Sequence, residues 1–309
     1  MARKVLLDVD PGVPDALALC LALADPRLEV VAVTATGGNV LPEQASRNVQ
    51  AIVEQLDPAR WPRIGRADPE QPLRTDGREL YGLDGLCGAK LRMAELHNQH
   101  SSAKVIAEEI RLAQEDLTII ACGPLSNLAA VFQREPDLAT QVGHLIIVGG
   151  TLAGPGNETA AAEFNIYCDS IAARSVFRSP VTKTLLPLDV SSRVAFNYDF
   201  LDQVPDESSP TGRVLREILP RAYRAFRQRL GLECIYAPEA IAVAAVLHPE
   251  LLSTVPLAAD VEVAGELTHG ATVLDRRRVS EGQANMDVVV DIDVEGAVDS
   301  VVRGLHQTE

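Results

Sequence analysis

A chain of 309 residues, 47% of them hydrophobic and 23% charged, has the composition of a folded globular protein with room for a large core. Its formal net charge of −15 excludes nucleic-acid polymers and anionic membranes as natural partners, because both demand a basic surface. The longest apolar runs, such as ALALCLALA at 16–24, are too short to span a bilayer, and the N-terminus lacks a secretory pattern, so a cytoplasmic location is expected.

In chain order, short aliphatic runs at 5–7, 30–33, 117–121, 145–148 and 184–186 have the length and flanking Gly, Pro, Asp or Asn of buried strands. Helical patterns at 14–24, 43–56, 103–114, 125–133 and 169–177 alternate with them. A charged amphipathic segment at 211–230, interrupted by Pro220, comes next, then a helix near 238–247. The strand MDVVVDIDV and the helix EGAVDSVVRGL close the chain. This alternation predicts an α/β fold, a single domain with a mostly parallel sheet flanked by helices. Residues 60–90, polar and rich in Gly, Pro and Arg, read as an excursion off the sheet rather than a domain boundary. The five cysteines, Cys20, Cys87, Cys122, Cys168 and Cys234, are scattered without CxxC spacing and are expected as reduced core thiols.

Open α/β sheets bind ligands beyond the carboxyl ends of their strands. Asp8 and Asp10 end the first strand, TATGGN with Asn39 ends the second, CGPLSN follows LTIIA, and VGGTLAGPGN follows LIIV. Segments remote in sequence therefore meet on one rim. Asp10 and Asp15 straddle a Pro-Gly turn, and two carboxylates plus a carbonyl make a partial cage for a hard cation such as calcium. The plainer reading makes Asp15 a first-turn helix acid and Asp10 a turn former. The cluster GNETAAAEFNIYCD adds Asn157, Glu163 and Asn165. With Asn39 these amides and carboxylates suit the hydroxyls of a sugar better than a phosphate, which calls for Lys, Arg or an amide nest.

DxDPGxxDA, TATGGN, YGLDGL at 81–86, CGPLSNLA at 122–129, GNxTxxAEFNIxxD at 156–169, LDV at 188–190 and GELTHGATVLD at 265–275 follow one order. That order resembles the inosine-uridine-preferring nucleoside hydrolase family over essentially the whole chain. The resemblance implies one nucleoside hydrolase-like domain over residues 1–309, a Ca²⁺ beneath a ribose pocket, and assembly as a homo-dimer or homo-tetramer. The implied reaction is hydrolysis of the N-glycosidic bond of a ribonucleoside or related N-riboside. By the same resemblance Asp10 is a Ca²⁺ ligand and the general base toward the attacking water, Asp15 a bidentate ligand, and Ser126 a backbone-carbonyl ligand. Asn39 then binds near the ribose 2′- and 3′-hydroxyls, Asn157 and Glu163 hold the 5′-hydroxyl, and Asn165 lies under the ribose. Such a reaction passes through an oxocarbenium-like sugar cation, which surrounding carboxylates stabilise.

Two positions depart from the family pattern. Pro14 stands where DPGxDD carries the first acid of its pair, and Tyr236-Ala237-Pro238 stands where His-Asp-Pro is expected, so an acid is missing at Ala237. Losing one charge-assisted contact costs about 1.5–3 kcal/mol. The departures set an alternative beside the enzyme: an impaired family member that binds a ribosyl ligand or a protein partner without turnover. Glu239, two positions after Ala237, is expected on a different helical face. Tyr236 is a candidate to hydrogen-bond the leaving base, although a phenol with a pKa of about 10 is a weaker acid than histidine.

Overall fold

The computed structural model describes residues 2–92, 100–277 and 282–307. Its first half alternates strand and helix: β1 (Arg3–Val9), α1 (Val13–Ala24), β2 (Leu28–Ala35), α2 (Pro42–Leu56), β3 (Arg63–Gly65), α3 (Arg78–Tyr81), α4 (Ser102–Ala113), β4 (Leu117–Ala121) and α5 (Ser126–Arg134). β5 (His144–Val148), α6 (Phe164–Cys168), α7 (Ser170–Phe177), β6 (Lys183–Leu186) and α8 (Leu188–Ser191) continue it. A short hairpin of β7 (Phe196–Asn197) and β8 (Cys234–Ile235) brackets the long α9 (Pro210–Leu230). Then come α10 (Pro238–Leu247), β9 (Leu252–Val261), β10 (Thr272–Asp275), β11 (Met286–Ile292) and α11 (Val294–Leu305).

Nine strands form one sheet in the order β10-β9-β11-β6-β5-β4-β1-β2-β3. It is parallel from β11 to β3, and β9 joins it antiparallel to both β11 and β10. The α/β, mostly parallel architecture expected from the sequence is therefore the one observed. Odd positions of β1, Val5, Leu7 and Val9, pack into a core with α1, α2, α9, α10 and α11. Leu6 packs the other way, with α4, α5 and α7. That alternation is the period of two along a strand covered on both faces.

The chain runs outward from β1 through β2 to β3 and then returns to β4 on the other side of β1. The strand order reverses between β1 and β4, and such a switch point opens a crevice at the carboxyl ends of the strands. Asp10 follows β1 directly, and CGP follows β4 directly.

Two expectations need correction, and one strand went unpredicted. Residues 60–90 do not lie wholly off the sheet, since β3 pairs with β2 as an edge strand of three residues. β9 has mostly exposed or half-exposed positions and contains Pro256, so it shows no apolar run. Proline is tolerated there because β10 pairs only with Ala258–Val261, leaving that side of Pro256 without a ladder donor to supply. Pro220 does not interrupt α9, which continues through it. Its ring faces solvent, where water can replace the missing helical hydrogen bond.

Lys183, at the start of β6, is buried, with its ammonium donating to the carbonyls of Ser179 (2.7 Å) and Val181 (3.0 Å). Burial lowers its pKa from 10.5 to about 8. Between those values the unfolded chain binds the proton more tightly, so the native state gains stability as pH rises through that window. The thiols of Cys20, Cys87, Cys122 and Cys168, whose pKa values burial raises, act in the opposite sense over the same range, so the Lys183 contribution is read as a difference. From pH 8 to pH 10 the urea midpoint of the parent is expected to change more favourably than that of Lys183→Met.

Candidate active site

The site begins with the way β1 stops. After Val9 the chain turns through Asp10-Pro11-Gly12 into α1, whose first turn holds Val13, Pro14 and Asp15. Pro14 suits that turn, where backbone N–H groups have no helical acceptor. Asp15 performs the plainer role foreseen for it: Oδ2 accepts from the N–H of Gly12 at 3.0 Å, closing the helix start. The other oxygen, Oδ1, is buried and has no hydrogen-bond partner.

Asp10 has the same division. Its Oδ2 accepts the backbone N–H of Asn39 at 2.7 Å, while Oδ1 is buried without a partner. Asn39 also donates its side-chain amide to Asp15 Oδ2 at 3.3 Å, so one residue ties the two acids together. Glycine is required around them for space. A Cβ on Gly38 would lie 2.0 Å from Asp10 Oδ2, and one on Gly123 would lie 2.8 Å from Oδ1. The carboxylate thus sits in a cradle made by the loops after β2 and β4.

Asp8 points elsewhere. Its Oδ1 accepts from the Thr34 hydroxyl (2.7 Å) and the Asn127 amide (2.8 Å), fastening β1 to β2 and to α5. Burial raises its pKa to about 7 against those two hydrogen bonds. Burial also raises Asp15 to about 7, while the Gly12 N–H pulls the other way. Asp10 is held well above the carboxylate range by burial and then by the charge of Asp15, with a further contribution from Glu239.

Glu163 and Asn165 frame the next side of the rim. Glu163 caps α6: Oε1 accepts from Asn165 N (3.0 Å), and Oε2 from Ile166 N (3.1 Å) and from Gly150 N (2.9 Å) in the loop after β5. Burial still raises its pKa against these donors. Asn165 spends its amide hydrogens on the carbonyls of Cys122 (2.9 Å) and Val148 (3.1 Å), joining the ends of β4 and β5. Asn157 is exposed and accepts the N–H of Phe164 at 2.8 Å. These three residues build the rim.

Ser126 and Tyr236 are not drawn in by their side chains. The Ser126 hydroxyl donates to Asp169 at 2.6 Å and accepts from Gln71 at 3.0 Å. It borders a cavity of about 790 Å³ whose lining also includes Gln71, Arg74, Tyr167, Asp169 and His269. Tyr236 is half-buried, and its ionisable partner is the Cys234 thiol, whose hydrogen bond raises the phenol pKa.

Two residues were given no site role by the sequence reading. Glu239 is only 7% exposed, and its Oε2 is buried without a hydrogen-bond partner. The expectation that it faces away from the site is wrong because α10 starts at Pro238. Ala237 lies outside the helix with φ −138° and ψ 68°, so helical spacing does not relate positions 237 and 239. The signal was a lone acid in the otherwise apolar PEAIAVAAVL. Tyr81, in YGLDGL, is the second. Burial raises its pKa, followed by the negative charges of Glu239 and Asp15, so it lies within electrostatic reach of the same carboxylates.

Residues 5–299 match the family model described as inosine-uridine preferring nucleoside hydrolase. A pyrimidine-specific ribonucleoside hydrolase from Salmonella paratyphi C is 33% identical over 311 aligned residues, covering 99% of each chain. Another from Escherichia coli is 34% identical over 304 residues, covering 97% of each. Among solved structures, the plant nucleoside hydrolase PpNRh1 matches with a TM-score of 0.90 at 25% identity over 99% of each chain. A purine-preferring ribonucleoside hydrolase from Gardnerella vaginalis also reaches 0.90, at 27% identity over 98% of each chain.

The cradle around Asp10 makes a direct prediction. Gly38→Ala forces a methyl against a pinned, buried carboxylate, and overpacking of this kind costs about 1–3 kcal/mol. A lower urea midpoint with an unchanged slope is the expected result; a midpoint equal to the parent's would show that the cradle yields.

Proposed function

The chain belongs to the inosine-uridine preferring nucleoside hydrolase family, and we propose that it hydrolyses the N-glycosidic bond of a ribonucleoside with Asp10 as the base that takes a proton from water. The observation that carries this assignment is the pair Asp10 and Asp15. They are buried side by side at the strand switch point, each with one oxygen committed to the fold and one left over. A buried carboxylate with one oxygen left free by the fold can take a proton from water held beside it.

The donor set fits a hard divalent cation. The unpartnered atoms of Asp10 and Asp15 are buried carboxylate oxygens, and calcium accepts irregular arrangements of carboxylates, carbonyls and waters. No group of three or more His, Cys, Asp or Glu side chains among the described residues forms a ready metal cluster. The residues that would hold the ion are therefore Asp10 and Asp15, with the Ser126 backbone carbonyl as a further oxygen donor. Calcium bound there supplies positive charge that acidifies water and neutralises the two aspartates.

The chain's own groups do the rest. Asn39, fixed through both aspartates, presents its amide toward ribose hydroxyls. Asn157, Glu163 and Asn165 contact the remaining sugar from the rim, and the acids around the ring favour the cationic transition state over the neutral substrate. Tyr236, once its phenol turns from the Cys234 thiol, is the donor to the departing base. In this reading the enzyme works in the cytoplasm as a homo-oligomer. Its five free cysteines agree with a reducing compartment.

Ribose release from uridine, cytidine and inosine is the test, because the relatives named above divide between pyrimidine and purine preference. Turnover of at least one ribonucleoside is expected. Asp10→Asn should lower kcat by about 10²–10⁴-fold, the span of general-base catalysis, while leaving thermal unfolding cooperative. Dialysis against EDTA should stop turnover and added calcium should restore it. Absence of ribose release from all three nucleosides at stoichiometric enzyme would overturn the assignment.

A further inference from the structure

α1 and α10 are the two helices of this fold with almost no polar face. Every residue of α1 from Val13 to Ala22 is buried, as is every residue of α10 from Glu239 to Val246. Both are rich in alanine, which lets helix axes approach closely, and they pack against each other. Both also open with a proline in the first turn followed at once by an acid: Pro14-Asp15 in α1 and Pro238-Glu239 in α10. Both acids are buried, Asp15 completely and Glu239 to 7% exposure.

Among the described residues, only four buried side-chain polar atoms have no hydrogen-bond partner, and three are carboxylate oxygens of Asp10, Asp15 and Glu239. No lysine, arginine or histidine is ion-paired with any of the three. Each is close enough to another to make its ionised form less favourable: Asp15 acts on both Asp10 and Glu239, and Glu239 acts on Asp10. A helix-dipole role accounts for Glu239 at the start of α10, but an acid serving that role alone sits at the surface with both oxygens hydrated. A buried carboxylate oxygen with no donor, on a helix packed against the one that carries Asp15, is a group arranged for a partner outside the chain.

We propose that Glu239 is the third carboxylate of the cation site, reaching the ion from the first turn of α10 beside Asp10 and Asp15. The inference rests on the cation reading given above and extends it to a residue with no expected role. Glutamate's three side-chain torsions let the carboxyl close on an ion with no backbone movement, while Pro238 and the apolar body of α10 hold its Cα in place. The acid missing at Ala237 is thereby supplied from position 239, and the departure there no longer favours a non-catalytic member.

Calcium titration calorimetry on EDTA-treated full-length protein tests the proposal apart from turnover, with calcium chloride as the probe. The parent should bind calcium, and Glu239→Gln should weaken binding by about tenfold or more, since affinity follows the charge count of the ligands. Without calcium, Glu239→Gln should melt at or above the parent temperature, because a buried uncompensated charge is gone; with calcium it should gain less than the parent. Glu233→Gln, at a glutamate whose side chain is 81% exposed, should bind as the parent does. In the Glu239→Gln background, Ala237→Asp should recover part of the lost affinity. Equal calcium affinity in the parent and Glu239→Gln would overturn the role of Glu239 and leave the two-aspartate site standing. No calcium binding by the parent would overturn the cation reading itself, and this inference with it.

Discussion

Asn39 donates its backbone N–H to Asp10 and its side-chain amide to Asp15, and that pair of hydrogen bonds holds two like charges in one buried place. Burial and mutual repulsion both oppose ionisation there, so the arrangement persists only because the surrounding loops leave no alternative. Gly38 and Gly123 close on the Asp10 carboxylate too tightly for any side chain, and the Gly12 N–H fixes Asp15. The remaining oxygens face inward with nothing to bond. The native state carries this electrostatic cost at the strand switch point, where a ligand can offset it.

Around that point the rim is stiffened by residues that serve fold and site together. Asp8 ties β1 to Thr34 and Asn127, so the strand leading to Asp10 is anchored to β2 and to α5. Asp189, at the start of α8, accepts three successive backbone N–H groups from Leu152, Ala153 and Gly154, fixing the loop that follows β5. Glu163 reaches the same loop through Gly150. Gly149 and Gly150 take φ values of 148° and 68° there, a path through which side-chain-bearing residues would be strained. Gln71 clamps the loop after β2 by bonding Gly37 on both its N–H and its C=O, and reaches Ser126. A site held by this many backbone contacts is largely organised before any ligand enters.

Much of this was legible in order and kind. The strand over 117–121 coincides with β4, and the helix over 238–247 coincides with α10, because each is an apolar run ended by Gly, Pro or Asp chemistry. The strands β3 and β9 were not legible. β3 is too short to show periodicity, and β9 has one face toward solvent and a proline within it. Asp10, Asp15 and Asn39, which the structure brings together, stood out from turn chemistry and from their place after strands. Glu239 was not, because its reach depends on where α10 begins, and helix starts are the least certain feature of a sequence pattern.

The sequence by itself determined the α/β order, the strand-end placement of the acids and amides, and the run of motifs shared with nucleoside hydrolases. These follow from local rules: hydrophobic period, turn residues and spacing along the chain. The tertiary structure alone decided which oxygens are left without partners. It also turned Glu163 and Asn165 into struts of the rim, and it brought Glu239 to the carboxylates from more than two hundred residues away in the chain. Satisfaction of a buried polar atom is a property of everything packed around it, and no local pattern encodes that.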